Sequence, residues 1–235
     1  MNEHTYVGGE LEIFAHAHHW KRYWISKLRP FIRGAVLEAG AGIGTNTTIL
    51  RDGTESRWVC LEPDPELAAE LKQKISNSPA CRSSEIVTGT IDSLPEQDSF
   101  DTILYIDVLE HIPDDRDEVE RAAGRLKPNG RLIVLSPAHG WLYSPFDKAI
   151  GHCRRYTSAG LKQLTPPSLR VKRASYLDSV GLLASAANRL LLQQSMPKSG
   201  QLRFWDTVMV PISRLIDPLT GYRVGKSVIC VWESI

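Results

Sequence analysis

Hydrophobic positions along the chain fall into two kinds of segment that take turns. Short apolar runs bounded by Gly, Pro, Asn and Asp recur at residues 35–38, 57–61, 85–87, 100–106 and 131–135. Each is too short for a typical helix and predicts a buried strand. Between them the apolar spacing turns helical, predicting helices over 46–50, 65–76 and 115–126, with Asp64 as N-cap of the second. Upstream, Ile13, His16, Trp20, Tyr23, Trp24 and Leu28 share one helix face, so residues 11–33 read as a helix stopped near Pro30. Strands alternating with helices imply βαβ units and a parallel sheet covered on both faces.

Beyond residue 136 the rhythm changes. Residues 136–156, rich in Pro, Gly and aromatics, read as a long loop, and long loops that keep aromatics are usually functional. Residues 170–176 and 225–232 read as a sixth and a seventh strand. Two apolar helices, roughly 182–194 and 205–216, lie between them and carry more apolar positions than one buried face needs. Core packing, a cap over a site, pairing of two subunits and contact with a lipid-like substrate all suit that pattern.

Length and composition narrow the picture. The 235 residues, 42% hydrophobic and 23% charged, suit one α/β domain with an elaboration. No apolar run reaches the length of a membrane span. The N-terminus lacks a basic-then-apolar secretory pattern, and Cys60, Cys81, Cys153 and Cys230 show no CxxC spacing, which predicts a reduced cytoplasmic setting. The net charge of +1 hides a split: residues 1–120 hold 11 Lys+Arg and 22 Asp+Glu (−11), residues 121–235 hold 17 and 5 (+12). The basic half is either a set of solvated helix faces or a surface for an anionic small-molecule substrate. A pI of about 7.7 does not suggest bulk nucleic-acid binding.

The chemistry starts at the end of the first strand, in Glu38-Ala-Gly40-Ala-Gly42-Ile-Gly44. Glycines there allow a sharp turn and a close backbone approach to a ligand. Glu62 ends the second strand about 20 residues later, where an acid accepts bonds from ribose hydroxyls. The pair predicts a bound adenosine. Thr45 stands where a dinucleotide fingerprint would differ, and the carboxylate of Glu38 opposes a diphosphate but suits an ammonium or sulfonium group.

The ordered series Val36-Leu-Glu-Ala-Gly-Ala-Gly-Ile-Gly44, Leu61-Glu-Pro-Asp64, the stretch from Ser99 to Pro113 and Leu126-Lys-Pro-Asn-Gly-Arg-Leu-Ile-Val134 resembles the motifs of class I S-adenosylmethionine-dependent methyltransferases, over roughly residues 33–136. The resemblance implies an α/β Rossmann-like, doubly wound seven-stranded sheet with an antiparallel last strand, here with a helical insertion (182–218) between strands six and seven. It further implies a single domain over 1–235, with residues 1–33 as a helical lid and the insertion capping the substrate side. S-Adenosyl-L-methionine would be the cofactor. Carried over by position, Glu38, Gly40, Gly42 and Gly44 would wall its methionine part, Glu62 would bind the ribose and Pro63 would pack near the adenine. Thr90 and Ile91 would meet the adenine edge, and Asp107 would face the methyl donor. The family often has Asp where Thr90 stands, which moves that contact toward Asp92 or the backbone.

Catalytic candidates follow. An oxygen nucleophile needs its proton removed, and imidazole titrates near working pH, so His111 and His152 are the candidate bases. His111 also reads as a packing residue at a helix start, or as a metal ligand with Asp107 and Glu110 and a fourth group from His139 or His152; no metal is assigned. His16, His18 and His19 share no helix face well enough for a metal and read, with Trp20, as part of the lid. Arg154, Arg155 and Tyr156 offer forked donors and a stacking face for a carboxylate or phosphate on the acceptor, or else a structural ion pair with Asp147. The acceptor would be a small or medium molecule, such as an anionic natural-product, sugar- or lipid-linked intermediate, methylated on oxygen, nitrogen or carbon. The stretch Tyr105-Ile-Asp-Val, where base-directed enzymes carry Asn-Pro-Pro-Tyr, argues against nucleic acid. Two other classes are an NAD-dependent oxidoreductase, disfavoured by the glycine spacing, and a non-catalytic adenosine-binding subunit; a homodimer would form through the insertion helices.

Overall fold

The computed structural model describes residues 10–189 and 199–235. The first five apolar runs form parallel strands: β1 (Ala35–Ala39), β2 (Arg57–Glu62), β3 (Glu85–Thr88), β4 (Phe100–Ile106) and β5 (Leu126–Pro137). With β6 (Leu169–Leu177) and β7 (Ser227–Ser234) they make one sheet in the order β3-β2-β1-β4-β5-β7-β6. β7 runs antiparallel to β5 and β6. This is the predicted Rossmann-like topology. The strand order reverses between β1 and β4, which opens a crevice at the carboxyl ends of the strands.

Both faces of the sheet are covered. Val36, Trp58, Cys60, Leu104 and Ile133 belong to one core cluster, while Leu37, Val59, Ile103, Leu132 and Val134 belong to the other. The period of two sorts adjacent residues to opposite faces, so strands buried on both sides must be apolar throughout.

The helices are α1 (Glu10–Ala15), α2 (His18–Leu28), α3 (Thr47–Leu50), α4 (Pro65–Ser76), α5 (Asp115–Gly124), α6 (Pro145–Ala149), α7 (Ser158–Gln163), α8 (Ser179–Ala187), α9 (Ser199–Phe204) and α10 (Val210–Leu219). As expected, Asp64 caps α4, accepting from the amides of Glu66 and Leu67. Among the described residues no helix is long and apolar enough to cross a membrane.

Three segments differ from the sequence expectation. The single helix over 11–33 is broken between α1 and α2, where Ala17 leaves helical backbone space. Asp206, from the insertion, accepts from the amides of His19 (3.2 Å) and Trp20 (2.8 Å) and so caps the new start. The long loop over 136–156 contains the end of β5 and all of α6, whose opening turn is closed by a reciprocal bond pair between Ser144 and Asp147. In the insertion, the first helix starts early at Ser179, capped by Asp178, and the expected residues 190–194 lie outside the described residues. The second extends from α9 through a π-helical turn (Trp205–Met209) into α10. Pro211 follows that turn; it has no N–H for an i−4 bond, and the wider turn absorbs the mismatch.

Candidate functional site

A cavity of about 1540 Å³ opens at the carboxyl ends of β1, β2 and β4. It exceeds the usual volume for one drug-sized ligand, so it has room for two molecules side by side. Its glycine wall needs glycine. Gly40 and Gly44 sit at φ 64° and 76°, and a Cβ there would lie 2.6 Å from Val108 Cγ2 or 2.5 Å from Leu71 Cδ1. Gly42 is left-handed as well, and its amide donates to Glu62 Oε2 at 2.7 Å. Glu62 Oε1 accepts from the Asp64 amide at 3.0 Å. The acid thus ties the end of β2 to the turn after β1, and burial raises its pKa while those two amides pull it back.

Pro63, Thr90 and Ile91 line the same part of the cavity. Thr90 caps the 3-10 turn Ile91–Ser93, which is why the backbone bends there. Asp107, after β4, is a non-glycine residue at φ 56°, and it projects into the cavity. It is open to the cavity, whose walls desolvate the carboxyl and push it up to about 6 against the attraction of His152, Lys21 and Lys226.

Opposite Asp107 lies a buried polar chain. His152 Nδ1 is 2.9 Å from Asp147 Oδ1. Arg155 forks the same carboxylate with bonds of 2.8 and 2.9 Å, and Ser144 donates from its amide and hydroxyl. Burial raises the Asp147 pKa, but these donors win and hold it well below the usual carboxylate range. An ionised Asp147 takes the proton side of the imidazole, leaving Nε2 with its lone pair. Nε2 lies 3.8 Å from Glu110 Oε1, a fully buried oxygen with no hydrogen-bond partner among the described residues, while Glu110 Oε2 accepts from Ser136 at 2.9 Å. Burial and the negative Asp107 push Glu110 well above its ordinary value. The His111 ring meets the His152 ring edge-on at 4.6 Å, and burial, followed by repulsion between the two rings when both are protonated, lowers His111 to about 4.

The sequence profile of the family described as "Methyltransferase domain" matches residues 37–134, from within β1 to within β5. This segment is a methyltransferase domain of the class I S-adenosylmethionine-dependent type. The ubiquinone biosynthesis O-methyltransferase of Xylella fastidiosa is 33% identical over 113 residues, 47% of this chain and 45% of that protein. A 179-residue stretch, 72% of this chain, is 26% identical to 2% of the nonribosomal peptide synthetase CymA of Salinispora arenicola. The chain thus spans about half the length of the first relative and a small part of the second. Magnesium protoporphyrin IX methyltransferase of Synechocystis, solved with bound S-adenosylmethionine, superposes with a TM-score of 0.56 at 13% identity, over 93% of this chain and 80% of that one. The fold, the left-handed glycines and the acid at the end of β2 fit the family's cofactor, S-adenosyl-L-methionine.

Within this methyltransferase most of the expected cofactor residues come together: Gly40, Gly42, Glu62, Pro63, Thr90, Ile91 and Asp107 all line the cavity. Gly44 supports the turn from behind, against Leu71. Glu38 does not line the cavity; it lies beneath the floor, where it accepts from Trp58 Nε1 at 3.0 Å, and burial raises it to about 7 against bonds from Thr47 and Trp58. His111, His152 and Arg155 reach the cavity, but Arg154 and Tyr156 do not. Both of those grip Asp115, each at 2.7 Å, so the basic loop is internally paired and its arginines hold the scaffold under His152.

Sequence reasoning missed two cations. Lys21, on α2, lines the cavity, donates to Asn46 Oδ1 at 2.9 Å, and is lowered to about 8 by burial. Lys226 lines it with its Nζ 3.6 Å from the Trp205 ring centroid and 3.7 Å from Asp178. Neither carries a local motif. Asp147 is expected from the sequence as an ion-pair partner of the basic loop, which it is for Arg155, but not as the partner of His152. Among the described residues, Glu110, His111 and His152 form a group whose ligand atoms lie within 4.8 Å of one another, the set with the reach to hold a metal ion. His139 is turned away, with Nε2 3.0 Å from the Gly225 carbonyl and its ring stacked on Tyr176. His16, His18 and His19 also lie off the cavity, which meets Leu11, Phe14, Trp20 and Trp24 of the N-terminal helices instead.

Proposed function

We propose that the protein transfers a methyl group from S-adenosyl-L-methionine to a hydroxyl oxygen of a small or medium-sized acceptor, with His152 taking the hydroxyl proton. One observation carries this reading: His152, fixed through Nδ1 by an ionised Asp147 and with Nε2 3.8 Å from Glu110 Oε1, lines the same cavity as Asp107. A hydroxyl is a poor nucleophile until its proton is removed, and an oriented imidazole is a good acceptor near neutral pH. An amine or an activated carbon would not need this chain.

In this scheme Glu62 holds the ribose, and Pro63, Thr90 and Ile91 frame the adenine. The glycine turn with Lys21, and with Glu38 beneath it, offers charges complementary to a zwitterionic amino-acid end. When bound, the cofactor supplies a methyl group already activated by a positive sulfur. The protein supplies alignment, and its apolar walls exclude water. Leu202, Trp205 and Met209 of the insertion and Phe14 and Trp24 of the N-terminal helices close the cavity, which supports roles for both segments as cap and lid. Lys226 stands where an anionic group on the acceptor would meet a cation that does not belong to the Asp147 chain.

The test is methyl transfer to a panel of phenols, catechols, hydroxy acids and amines, with cofactor affinity measured by calorimetry. His152→Gln should cut transfer to hydroxyl acceptors about 10²–10⁴-fold with cofactor affinity unchanged. Transfer confined to amines, or undiminished in the variant, would overturn the proposal. A chelator should leave the rate unchanged; loss restored by a divalent cation would assign Glu110, His111 and His152 to a metal instead.

A further inference from the structure

α9, the π-helical turn and α10 run as one rod from Ser199 to Leu219. Its inner side is anchored. Leu202, Trp205 and Val210 are buried, Ser213 donates to Asp178, and Asp217 accepts from Tyr23 at 2.7 Å. Its outer side carries Phe204, Val208, Ile212, Leu215 and Leu219, spaced four, four, three and four residues apart, which places them on one stripe. Those side chains are 57%, 40%, 42%, 75% and 85% exposed. Scattered exposed apolar residues need no account, but five in register on one helix do.

The charges beside the stripe are of one sign. Between residues 199 and 226 the only acids are Asp206 and Asp217, and both are buried and bonded to the N-terminal helix. Arg203, Arg214 and Arg223 are exposed. The outer face is therefore apolar and cationic, with no carboxylate of its own. A second copy of this chain would bring the same arginines to the same interface, with nothing to offset them. A layer of anionic headgroups over acyl chains meets both features at once.

We infer that this rod docks on an anionic phospholipid bilayer, lying in the interface with its stripe among the acyl chains. Phe204 belongs both to the stripe and to the cavity lining, together with Leu202, Trp205 and Met209. Docking therefore sets the cavity rim at the lipid surface, where an acceptor with an apolar tail enters without crossing water. That last clause rests on the methyltransferase reading; the docking itself does not.

The experiment is flotation of the whole chain with vesicles of phosphatidylcholine, alone or mixed with phosphatidylglycerol. The protein should float with the mixed vesicles, poorly with phosphatidylcholine alone, and less as salt is raised. Leu215→Asp with Leu219→Asp should weaken binding about tenfold or more. Arg203→Gln and Arg223→Gln should each weaken it about fivefold. Calorimetry with S-adenosylmethionine should give the same affinity in every variant, showing that the fold survives. Failure to float with the mixed vesicles, or equal flotation of the Leu215→Asp/Leu219→Asp variant, overturns the inference. So does a dimer in sedimentation equilibrium that this variant lacks, which would give the face to a second copy. Normal flotation without cofactor binding would leave docking standing and sink the methyltransferase reading.

Discussion

At the scale of single residues, buried ionisable groups decide what this site can do. His111 is neutral at pH 7 because burial, with repulsion between the two rings when both are protonated, lowers it from 6.5 to about 4. In the unfolded chain an ordinary His takes up its proton near 6.5, so between those values the unfolded state binds more protons than the folded one. Stability from this group is fully present above about 6.5 and is lost as the pH falls toward about 4. Asp107, raised from 3.8 to about 6, works the other way: its term is present below 3.8 and lost as the pH rises through about 6. The two partly cancel in the native protein. His111→Gln removes one of them, so its denaturation free energy relative to the parent should improve by about 3 kcal/mol on going from pH 7 to pH 4. A pH-independent difference in urea titrations would show that His111 is not buried neutral.

At the scale of elements, α2 starts where it does because of a residue 186 positions away. Its first amides find no local cap, and Asp206 supplies one from the insertion. Asp217 likewise holds Tyr23 of α2 while accepting from the amides of Asp178 and Ser179 at the start of α8. The N-terminal helices and the insertion are thus stapled together by buried carboxylates rather than by apolar contact alone. Asp206→Ala would strand two buried N–H groups and should cost about 1–3 kcal/mol in chemical denaturation. It should also loosen the cavity wall formed by Trp20 and Trp205, seen as faster hydrogen exchange at the amides of His19 and Trp20. Unchanged stability would mean that water replaces the cap without loss.

At the scale of the whole molecule, the cavity proposed for the cofactor is built from the ends of strands far apart in sequence, so occupancy there would be linked to folding. Saturation at about 100 times the dissociation constant stabilises the folded state by about 2.7 kcal/mol. For a chain of this size that is a rise in Tm of about 5–10 °C. Glu62→Ala should abolish most of this rise, as well as lowering the starting Tm, because the same carboxylate joins Gly42 to Asp64. Differential scanning with and without S-adenosylmethionine measures both. A full cofactor-induced rise in the variant would remove Glu62 from the ribose site.

The local pattern was enough for the sheet and for the glycine turn after β1. Strands buried on both faces must be continuously apolar, and a turn in which a Cβ would strike Val108 or Leu71 must be glycine, so both leave a mark within a few residues. The seven strands, the Asp64 cap and the group Gly40, Gly42 and Glu62 were legible for that reason. Residues whose meaning depends on distant partners were not. Lys21 and Lys226 look like ordinary surface lysines until the fold places them in the cavity. Arg154, Arg155 and Tyr156 read equally as an anion site or as internal pairs, and only the tertiary structure shows Arg154 and Tyr156 paired with Asp115 off the cavity and Arg155 on its edge, paired with Asp147. Glu38 keeps the position of a cofactor ligand in the sequence, yet the sheet turns its carboxylate toward Trp58, below the cavity floor. A motif records backbone geometry, because sterics act locally. Which charge meets which is set by desolvation and by partners tens to hundreds of residues away, and only the tertiary structure brings them within reach.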